Sequence, residues 1–218
     1  MKLPFSSEQF FDVMVQYNQA VWPAQVVLTA AALAAVALLF VRRPRVAPAL
    51  WSILAALWAW TGVAYHFAFF ARINPAAMAF GLVFLAGAGA FVYGGVVRRS
   101  VTFHPQMNLR TLVGAALVVY ALLVYPLWSA ATGHPYPSLP TFGLPCPTTL
   151  FTVGLLCMAA GRGHGLILVA PLLWCLVGVQ AAFLFRVIPD LGLGVAALVA
   201  VVLLVSDLRA RAPTAAPA

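Results

Sequence analysis

Charged residues are scarce in this chain of 218 residues, of which only 7% are charged. Soluble domains usually carry about 25% charged residues, so this chain cannot cover a water-facing surface of its size. Hydrophobic residues make up 64% of the sequence. The shortage of charge excludes a soluble enzyme, a nucleic-acid-binding module and a disordered regulator. The acidic residues of the whole sequence are Glu8, Asp12, Asp190 and Asp207.

Acidic residues and lysines are missing from the interior of the long apolar runs, and Lys2 is the only lysine. A charge inside a membrane is costly and usually serves a function. Its absence argues against a carboxylate-based proton pump or an ion-coupled symporter. It also excludes a retinal Schiff base, which needs a lysine within the membrane.

Apolar runs of about 20 residues are abundant, and a helix needs this length to cross about 30 Å of hydrocarbon. The runs are continuously apolar, whereas the strands of a membrane barrel would alternate. The pattern predicts an all-α, polytopic membrane helix bundle with seven transmembrane helices. The predicted spans are residues 21–41, 49–71, 74–97, 110–131, 144–160, 165–185 and 188–206.

The distribution of basic residues predicts the orientation of these spans, because cytoplasmic loops are enriched in lysine and arginine. With seven spans, nine bases fall on one side and three on the other. The amino terminus is therefore predicted outside and the carboxyl terminus inside, in a bacterial inner (plasma) membrane. The net charge of +8 then reflects orientation and attraction to anionic lipid. The nine predicted cytoplasmic bases are Arg42, Arg43, Arg45, Arg98, Arg99, Arg110, Arg162, Arg209 and Arg211, and the three predicted outer bases are Lys2, Arg72 and Arg186.

The two ends of the chain differ from the predicted transmembrane domain, residues 21–208. Residues 1–20 are too polar for a signal-peptide core and predict an amphipathic interfacial helix, with Ser6 and Gln9 at the spacing of a capping box. Residues 209–218 predict a disordered cytoplasmic tail.

An internal repeat is suggested when the sequence is shifted by 114 residues. The shift aligns the second span with the sixth and predicts three helices, one linker helix and three helices in parallel orientation. The alternative is chance similarity, because membrane helices share few residue types. The aligned pairs are Trp60 with Trp174, Phe69 with Phe183, Arg72 with Arg186 and Pro75 with Pro189.

Polar side chains inside the spans are the candidates for a binding site, since such residues usually face the bundle or a cavity. His66 and its repeat counterpart Gln180 could form opposite walls of a solute site that opens outward. Alternatively, His66 only forms a hydrogen bond with a neighbouring helix. Arg186 and Asp190 are spaced for an ion pair. The full predicted solute site comprises His66, Gln180, Gln25, Asn74 and Thr148, with Arg72 and Arg186 at its mouth.

The segment 132–149 holds several prolines and one of three cysteines, Cys146. It predicts either a rigid vestibule wall or a connector that only sets helix spacing. The Cys146 thiol could bind a thiophilic metal with His134 or His66. One cysteine and one nearby histidine do not define a metal site, because the sequence has no pair of cysteines or histidines at ligand spacing. No cofactor is expected.

Short motifs spread along the chain carry a resemblance to a known family. They are Tyr-Asn-x-x-x-Trp-Pro-Ala-Gln over residues 17–25, Tyr-His-Phe over 65–67, Ile-Asn-Pro-Ala over 73–76 and Gly-Leu-Pro-Cys-Pro-Thr-Thr over 143–149. Together they resemble an uncharacterised family of bacterial multi-pass membrane proteins. The resemblance covers most of the chain and implies a membrane location, but it implies no mechanism.

Three functional hypotheses follow from the sequence. The first is a small-solute permease or facilitator with an outward-opening polar site. The second is a non-transport membrane module, either a sensor or a subunit of a larger complex, in contact with a membrane-protein partner or a second copy of itself. The third is a metal-binding membrane protein that uses Cys146. Nothing in the sequence indicates hydrolytic catalysis, because no Ser-His-Asp set or aspartyl pair lies at membrane depth.

Overall fold

The computed structural model describes residues 4–41, 43–161 and 163–211, with only the backbone described at residue 211. Lys2, Arg42 and Arg162, which contribute to the predicted charge asymmetry, lie outside the described residues. Residues 212–218 of the predicted tail lie outside them as well. The helix that ends the described chain continues to Arg211, so residues 209–211 are helical.

The described chain forms a helix bundle with one small two-stranded sheet. Several long helices are interrupted by π-helical or 3₁₀ turns, which belong to the same spans. The helices are α1 (Ser7–Ala20), α2 (Ala24–Leu38), α3 (Val46–Trp60), α4 (Ala77–Phe91), α5 (Leu109–Val119), α6 (Tyr125–Ala131), α7 (Pro145–Leu156), α8 (His164–Gly178), α9 (Gln180–Leu184) and α10 (Leu191–Arg211), and the strands are β1 (Val101–Phe103) and β2 (Ala159–Gly161).

Five continuous helical segments are long and apolar enough to cross a membrane. Helices α1 and α2 add a sixth if they count as one broken span, although their axes are bent by 86°. The chain is therefore an all-α polytopic bundle of five to six candidate spans, and the number seven is not confirmed. The five segments are Val46–Arg72, Ala77–Val97, Leu109–Ala131, His164–Leu184 and Ile188–Ala210.

Two of the seven predicted spans are shorter in the structure. Helix α2 has 15 residues and α7 has 12. At 1.5 Å per residue these lengths are about 22 Å and 18 Å, against about 30 Å of hydrocarbon. The predicted span 144–160 is short because the chain bends away after Leu156 and forms strand β2. The predicted repeat stays a prediction.

Helix α1 begins at the capping box that the sequence predicts. The Ser6 hydroxyl accepts a hydrogen bond from the Gln9 N–H at 3.2 Å, and the Gln9 side chain accepts one from the Ser6 N–H at 2.9 Å. The apolar face of α1 is buried in an aromatic cluster with Tyr65 and Phe70, which follow α3 in the same span, and with Phe185, which follows α9. Phe10 stacks on Phe185 with ring centroids 4.4 Å apart.

The bundle has a strand end, where the two strands pair, and an α1 end, where helix α1 lies. At the strand end, β1 pairs antiparallel with β2, with Val101 opposite Gly161. The Gly165 N–H also donates a hydrogen bond to Asp207 Oδ2 at 3.0 Å, which ties the start of α8 to α10. At the α1 end lie helix α1, the segment 132–144 and the turn between α9 and α10.

Helix α7 begins near the middle of the bundle. The Thr61 hydroxyl, eleven residues before the end of the span Val46–Arg72, donates a hydrogen bond to the Gly143 carbonyl at 2.9 Å. Farther along, the Trp58 indole donates to the Thr152 hydroxyl at 2.9 Å. The irregular segment 132–144 therefore runs from the α1 end into the bundle, and α7 continues from there to the strand end. Such backbone is tolerated at membrane depth where protein surrounds it.

Glycines allow neighbouring helices to pack closely. A Cβ atom on Gly95 would lie 1.9 Å from the Trp51 ring, and one on Gly87 would lie 2.6 Å from the Trp58 ring. The indole rings of α3 therefore pack directly against these glycines of the span Ala77–Val97. This glycine surface lies inside the bundle. The bundle core is filled by large side chains, among them Phe84 and Phe91.

Candidate functional site

A cavity of about 260 Å³ lies at the α1 end of the bundle, bounded by α1, α4, α6, α8, α9, the first turn of α7 and the 3₁₀ turn before α10. Most of its wall is aromatic or aliphatic, with a small polar group of side chains at one side. A mostly apolar wall with a few convergent polar groups is typical of small-molecule sites. The polar members of the wall are Asn74, Tyr65, Tyr125, Cys146, Trp174, Gln180 and Asp190.

Asp190 is the central polar residue of this wall. It ends the 3₁₀ turn Ile188–Asp190, immediately before α10, and is only 1% exposed. The Tyr125 hydroxyl donates a hydrogen bond to Asp190 Oδ1 at 2.6 Å. The partial positive charge at the start of α10 favours a carboxylate at this position. The structure therefore holds a carboxyl group within the bundle, at the cavity wall.

The turn that carries Asp190 is held by a second tyrosine. The Tyr120 hydroxyl donates to the Pro189 carbonyl at 2.7 Å. Tyr120 and Tyr125 lie on either side of a π-helical turn that joins α5 to α6. An irregular turn of this kind often occurs at a functional site, because it re-aims the side chains that follow it. Here it directs both hydroxyls at the start of α10.

Cys146 lies in the first turn of α7, where its thiol interacts with the Asp190 carboxyl. The neighbouring Tyr65 and Trp174 complete this side of the wall. The Trp174 indole N–H is buried beside the Cys146 thiol, with which it interacts. The site thus combines one carboxyl, one thiol and three aromatic rings that carry polar groups.

Helix α1 covers part of the cavity at the α1 end of the bundle. Phe5, Phe10 and Met14 contribute to the cavity wall from this helix and the residues before it. Phe5 packs against Phe185 and Phe70, with ring centroids 5.4 Å and 5.5 Å apart. The position of α1 therefore determines how wide the cavity opens.

Asn18 connects α1 with the segment that leads into α7. Its Nδ2 donates to the carbonyls of Pro137 and Leu139 at 2.6 Å and 2.7 Å. Its Oδ1 accepts from Gln25 Nε2 at 2.6 Å and from the Thr141 hydroxyl at 2.7 Å. One buried amide thus holds α1, α2 and the segment 132–144 together.

Two residues of the predicted solute site, Gln180 and Asn74, do line the cavity. The Asn74 side chain also accepts a hydrogen bond from the Ala76 N–H at 3.1 Å, as a helix-start residue does. Gln180 is exposed and forms a hydrogen bond with the Leu176 carbonyl at 3.3 Å.

His66, the predicted opposite wall, lies outside the cavity lining. It is fully buried, and neither ring nitrogen has a hydrogen-bond partner within the described part of the chain. Its ring packs against Trp174 and Phe84 at 5.0 Å and against Phe80 at 5.9 Å. Trp174 and Phe80 thus stand between His66 and the cavity, and neither sequence interpretation of His66 matches the structure.

The other predicted site residues lie elsewhere. Gln25 is bound to Asn18, and Thr148 is buried in α7 with its hydroxyl unpartnered within the described residues. Arg72 and Arg186 are exposed, and the Arg72 guanidinium lies 4.6 Å from the centre of the Phe69 ring. Neither arginine lines the cavity. The predicted pairing of Arg186 with Asp190 is replaced by the hydrogen bond from Tyr125.

The candidate metal ligands are not brought together. His134 stacks on Phe11 with ring centroids 4.1 Å apart, and His66 lies in its aromatic surroundings. Among residues 4–41, 43–161 and 163–211, no three His, Cys, Asp or Glu side chains form a group that could hold a metal ion.

The sequence interpretation missed Asp190, Tyr125 and Trp174 as cavity residues. Asp190 lies four residues after Arg186, so the sequence suggested a local ion pair and did not indicate that the carboxyl is buried. Its real partner, Tyr125, is 65 positions away. The one available signal was the scarcity of acids, since only two of four lie outside residues 1–20.

A second cavity, of about 810 Å³, lies at the strand end between the end of α2 and the segment after β1. Its wall includes Arg43 and His104, whose Nε2 lies 2.8 Å from the Thr102 hydroxyl. It has no buried carboxyl, so the cavity at the α1 end is the candidate site.

Comparison with known proteins identifies a family. The model of a family described as a family of unknown function, DUF6064, matches residues 7–214. No curated protein and no solved structure matches the chain.

Proposed function

The chain belongs to the DUF6064 family, and because the function of that family is unknown, we propose one from the geometry of the cavity. In this proposal the protein is a small-solute permease of the carrier type, and the cavity at the α1 end corresponds to its outward-open state. The observation that carries this proposal is the cavity beside Asp190, at the point where the chain enters the bundle and α7 begins.

The interrupted backbone beside the cavity supports a transport role. Secondary transporters often bind their solute near the middle of the membrane, at helices that are broken there. Helix α7 begins in this way at Pro145, after an irregular segment that reaches Thr61. The predicted 3+1+3 repeat would add a second such feature, since many transporters are built from internal repeats.

Solid packing toward the strand end favours a carrier over an open channel. Every residue of α7 except Cys146 is buried, and the helix is surrounded by the bundle core. A solute in the cavity therefore meets side chains and not a water-filled passage. Transport would require a change in the position of α7 or α1 that closes the cavity outside and opens it inside.

The same proposal fixes the orientation. The strand end carries Arg43, Arg45, Arg98, Arg99 and Arg110 near its helix ends, whereas the α1 end carries Arg72 and Arg186. By the positive-inside rule, the strand end lies on the cytoplasmic side of the bacterial inner membrane in this proposal. The cavity then opens outward, with α1 in the outer interface.

Solute flux into liposomes tests the proposal. Liposomes that contain the protein should lose an osmotic gradient of small solutes, whereas protein-free liposomes should keep it. Light scattering measures this loss. Ala181→Trp places a large ring in the cavity and should reduce the flux at least about tenfold, since overpacking a site costs about 1–3 kcal/mol and about 1.4 kcal/mol is tenfold. Ala56→Trp, at an exposed position of α3, is the matched control and should leave the flux unchanged.

A sensor or a subunit of a larger complex is the second candidate, and the closed packing beneath the cavity favours it. Such a protein would bind the solute and move α1 without passing the solute across. Solute binding that Ala181→Trp abolishes, in liposomes that show no flux, would support the sensor and contradict the permease. A membrane partner that co-purifies at a fixed ratio would support the subunit role.

A further inference from the structure

We infer that the cavity binds a small organic ammonium ion, a molecule with one positively charged nitrogen and an apolar body. This inference rests on the proposed function, because it names the class of solute that the same site holds. It is carried by the juxtaposition of one buried carboxyl and an aromatic wall in a single cavity.

The Asp190 carboxyl lacks a cationic partner within the described residues. Its contacts are the neutral hydroxyl of Tyr125 and the neutral thiol of Cys146. Arg186, four residues earlier, is exposed. Burying a carboxylate without a cation is costly, and the start of α10 offsets only part of that cost. A cationic solute would supply the missing charge at the cavity wall.

The aromatic wall suits the same class of solute. Tyr65, Tyr125 and Trp174 stand around the polar side of the cavity, and Phe70 and Phe80 extend the wall. Aromatic faces attract organic cations, and desolvation strengthens this attraction. An anionic solute would be repelled by Asp190. A neutral solute would gain the apolar contacts but no charge interaction.

The dimensions limit the solute to a small molecule. Drug-sized ligands occupy cavities of about 300–1,000 Å³, and this cavity has about 260 Å³. A single ring or a short branched chain with one ammonium group is therefore the expected scale. The exposed Gln180 stands at the wall where such a molecule would enter.

Three probes with one body and different charges test this inference. We would titrate detergent-purified protein by calorimetry with 2-phenylethylammonium, the neutral 2-phenylethanol and the anionic phenylacetate. The cation should bind at least about tenfold more tightly than the alcohol, and the anion most weakly. Benzyltrimethylammonium distinguishes a charge-assisted hydrogen bond from attraction by rings alone: tighter binding of the primary ammonium indicates the hydrogen bond.

Asp190→Asn should lower the affinity for 2-phenylethylammonium to that for 2-phenylethanol, whose own affinity should stay within about twofold. Asp12→Asn removes the same charge from an exposed site on α1 and should change neither value. Equal affinities of the cation and the alcohol for the wild type would overturn the inference, as would a preference for the cation that survives Asp190→Asn.

Cys146 gives a second test that needs no variant of Asp190. Methanethiosulfonate reagents with a trimethylammonium, a sulfonate or a plain methyl group would be applied to the wild type, and modification of Cys146 followed by mass spectrometry. Relative to the same reagents acting on 2-mercaptoethanol, the cation should react with Cys146 about tenfold faster than the anion. Equal relative rates of the cation and the anion would contradict the inference.

The two proposals fail in different ways. If the alcohol binds as well as the cation and solute flux persists, the ammonium class is wrong and the permease stands. If the cation binds preferentially and no flux occurs with it, the solute class is right and the carrier role is wrong. If none of the three phenyl probes binds, the ammonium inference is overturned, and the flux measurement alone decides the permease.

Discussion

At the scale of single residues, the buried amide of Asn18 links α1 to two other segments of the chain. Its side chain forms hydrogen bonds with two carbonyls and one hydroxyl of the segment 132–144 and with one amide of α2. Each of these partners would lack a hydrogen bond without it. Unpaired buried polar groups cost about 1–3 kcal/mol each, although some would recover water near the surface.

Asn18→Ala should therefore lower the free energy of unfolding by about 2–4 kcal/mol. For a chain of this size, that loss lowers the midpoint of thermal unfolding in detergent by roughly 5–10 °C. Limited proteolysis should also cut the segment 132–143 faster, because its carbonyls lose their anchor. Gln19→Ala, at an exposed position one residue away, is the control, and an equal shift in both variants would show that the hydrogen bonds of Asn18 are unimportant.

What the sequence could reveal about residues depended on whether their partners are local. The capping box of Ser6 and Gln9 spans three residues and is confirmed. Asn74 and Gln180 were selected as polar residues inside the predicted spans, and they line the cavity. The contact between Tyr125 and Asp190 spans 65 positions and depends on how α6 and α10 pack, which residue spacing alone does not encode.

At the scale of elements, the crossing of α5 and α7 depends on two glycines. A Cβ atom on Gly154 would lie 2.8 Å from the Gly114 carbonyl oxygen and 3.0 Å from the Val118 nitrogen. Both neighbours are backbone atoms, so neither can move without shifting a helix. Small residues at such crossings let membrane helices approach closely.

Gly154→Ala should lower the free energy of unfolding by about 1–3 kcal/mol, the usual cost of overpacking. Gly89→Ala is its matched control, since a Cβ there meets no atom within 4 Å. The control should be neutral or stabilising by up to about 1 kcal/mol, because alanine favours a helix more than glycine does. The measurement is thermal unfolding in detergent, and a Gly154→Ala variant as stable as the control would contradict the close crossing.

The element boundaries show where hydropathy succeeds and fails. The predicted spans 49–71, 74–97, 110–131, 165–185 and 188–206 each correspond to a long helix in the structure. The predicted span 144–160 is a helix of 12 residues followed by a turn and a strand. Apolar composition reports that a segment is buried, but it does not report whether the buried backbone is helical, and other helices shield the irregular part here.

At the scale of the whole molecule, the two ends of the bundle differ in charge. The described bases cluster at the strand end, and few lie at the α1 end. Such a difference orients a membrane protein during insertion. The expected arrangement places the cavity outside and the carboxyl terminus in the cytoplasm.

Two exposed arginines at opposite ends provide a matched test of this orientation. In a Cys146→Ser background, Arg186→Cys should react with a membrane-impermeant maleimide in intact cells, whereas Arg98→Cys should react only after the cells are lysed. Both positions are exposed, so access to the thiol and not burial determines the result. Labelling of Arg98→Cys in intact cells, with Arg186→Cys protected, would reverse the assignment.

The half-length of α7 has a consequence for biosynthesis. A helix of 12 residues is too short to be recognised by the insertion machinery as a stable membrane segment. Helix α5, against which α7 packs closely, emerges from the ribosome before α7, whereas its other neighbours α8 and α10 emerge after it. We therefore expect α7 to dock first on α5 and to complete its packing only when α8 and α10 have been made.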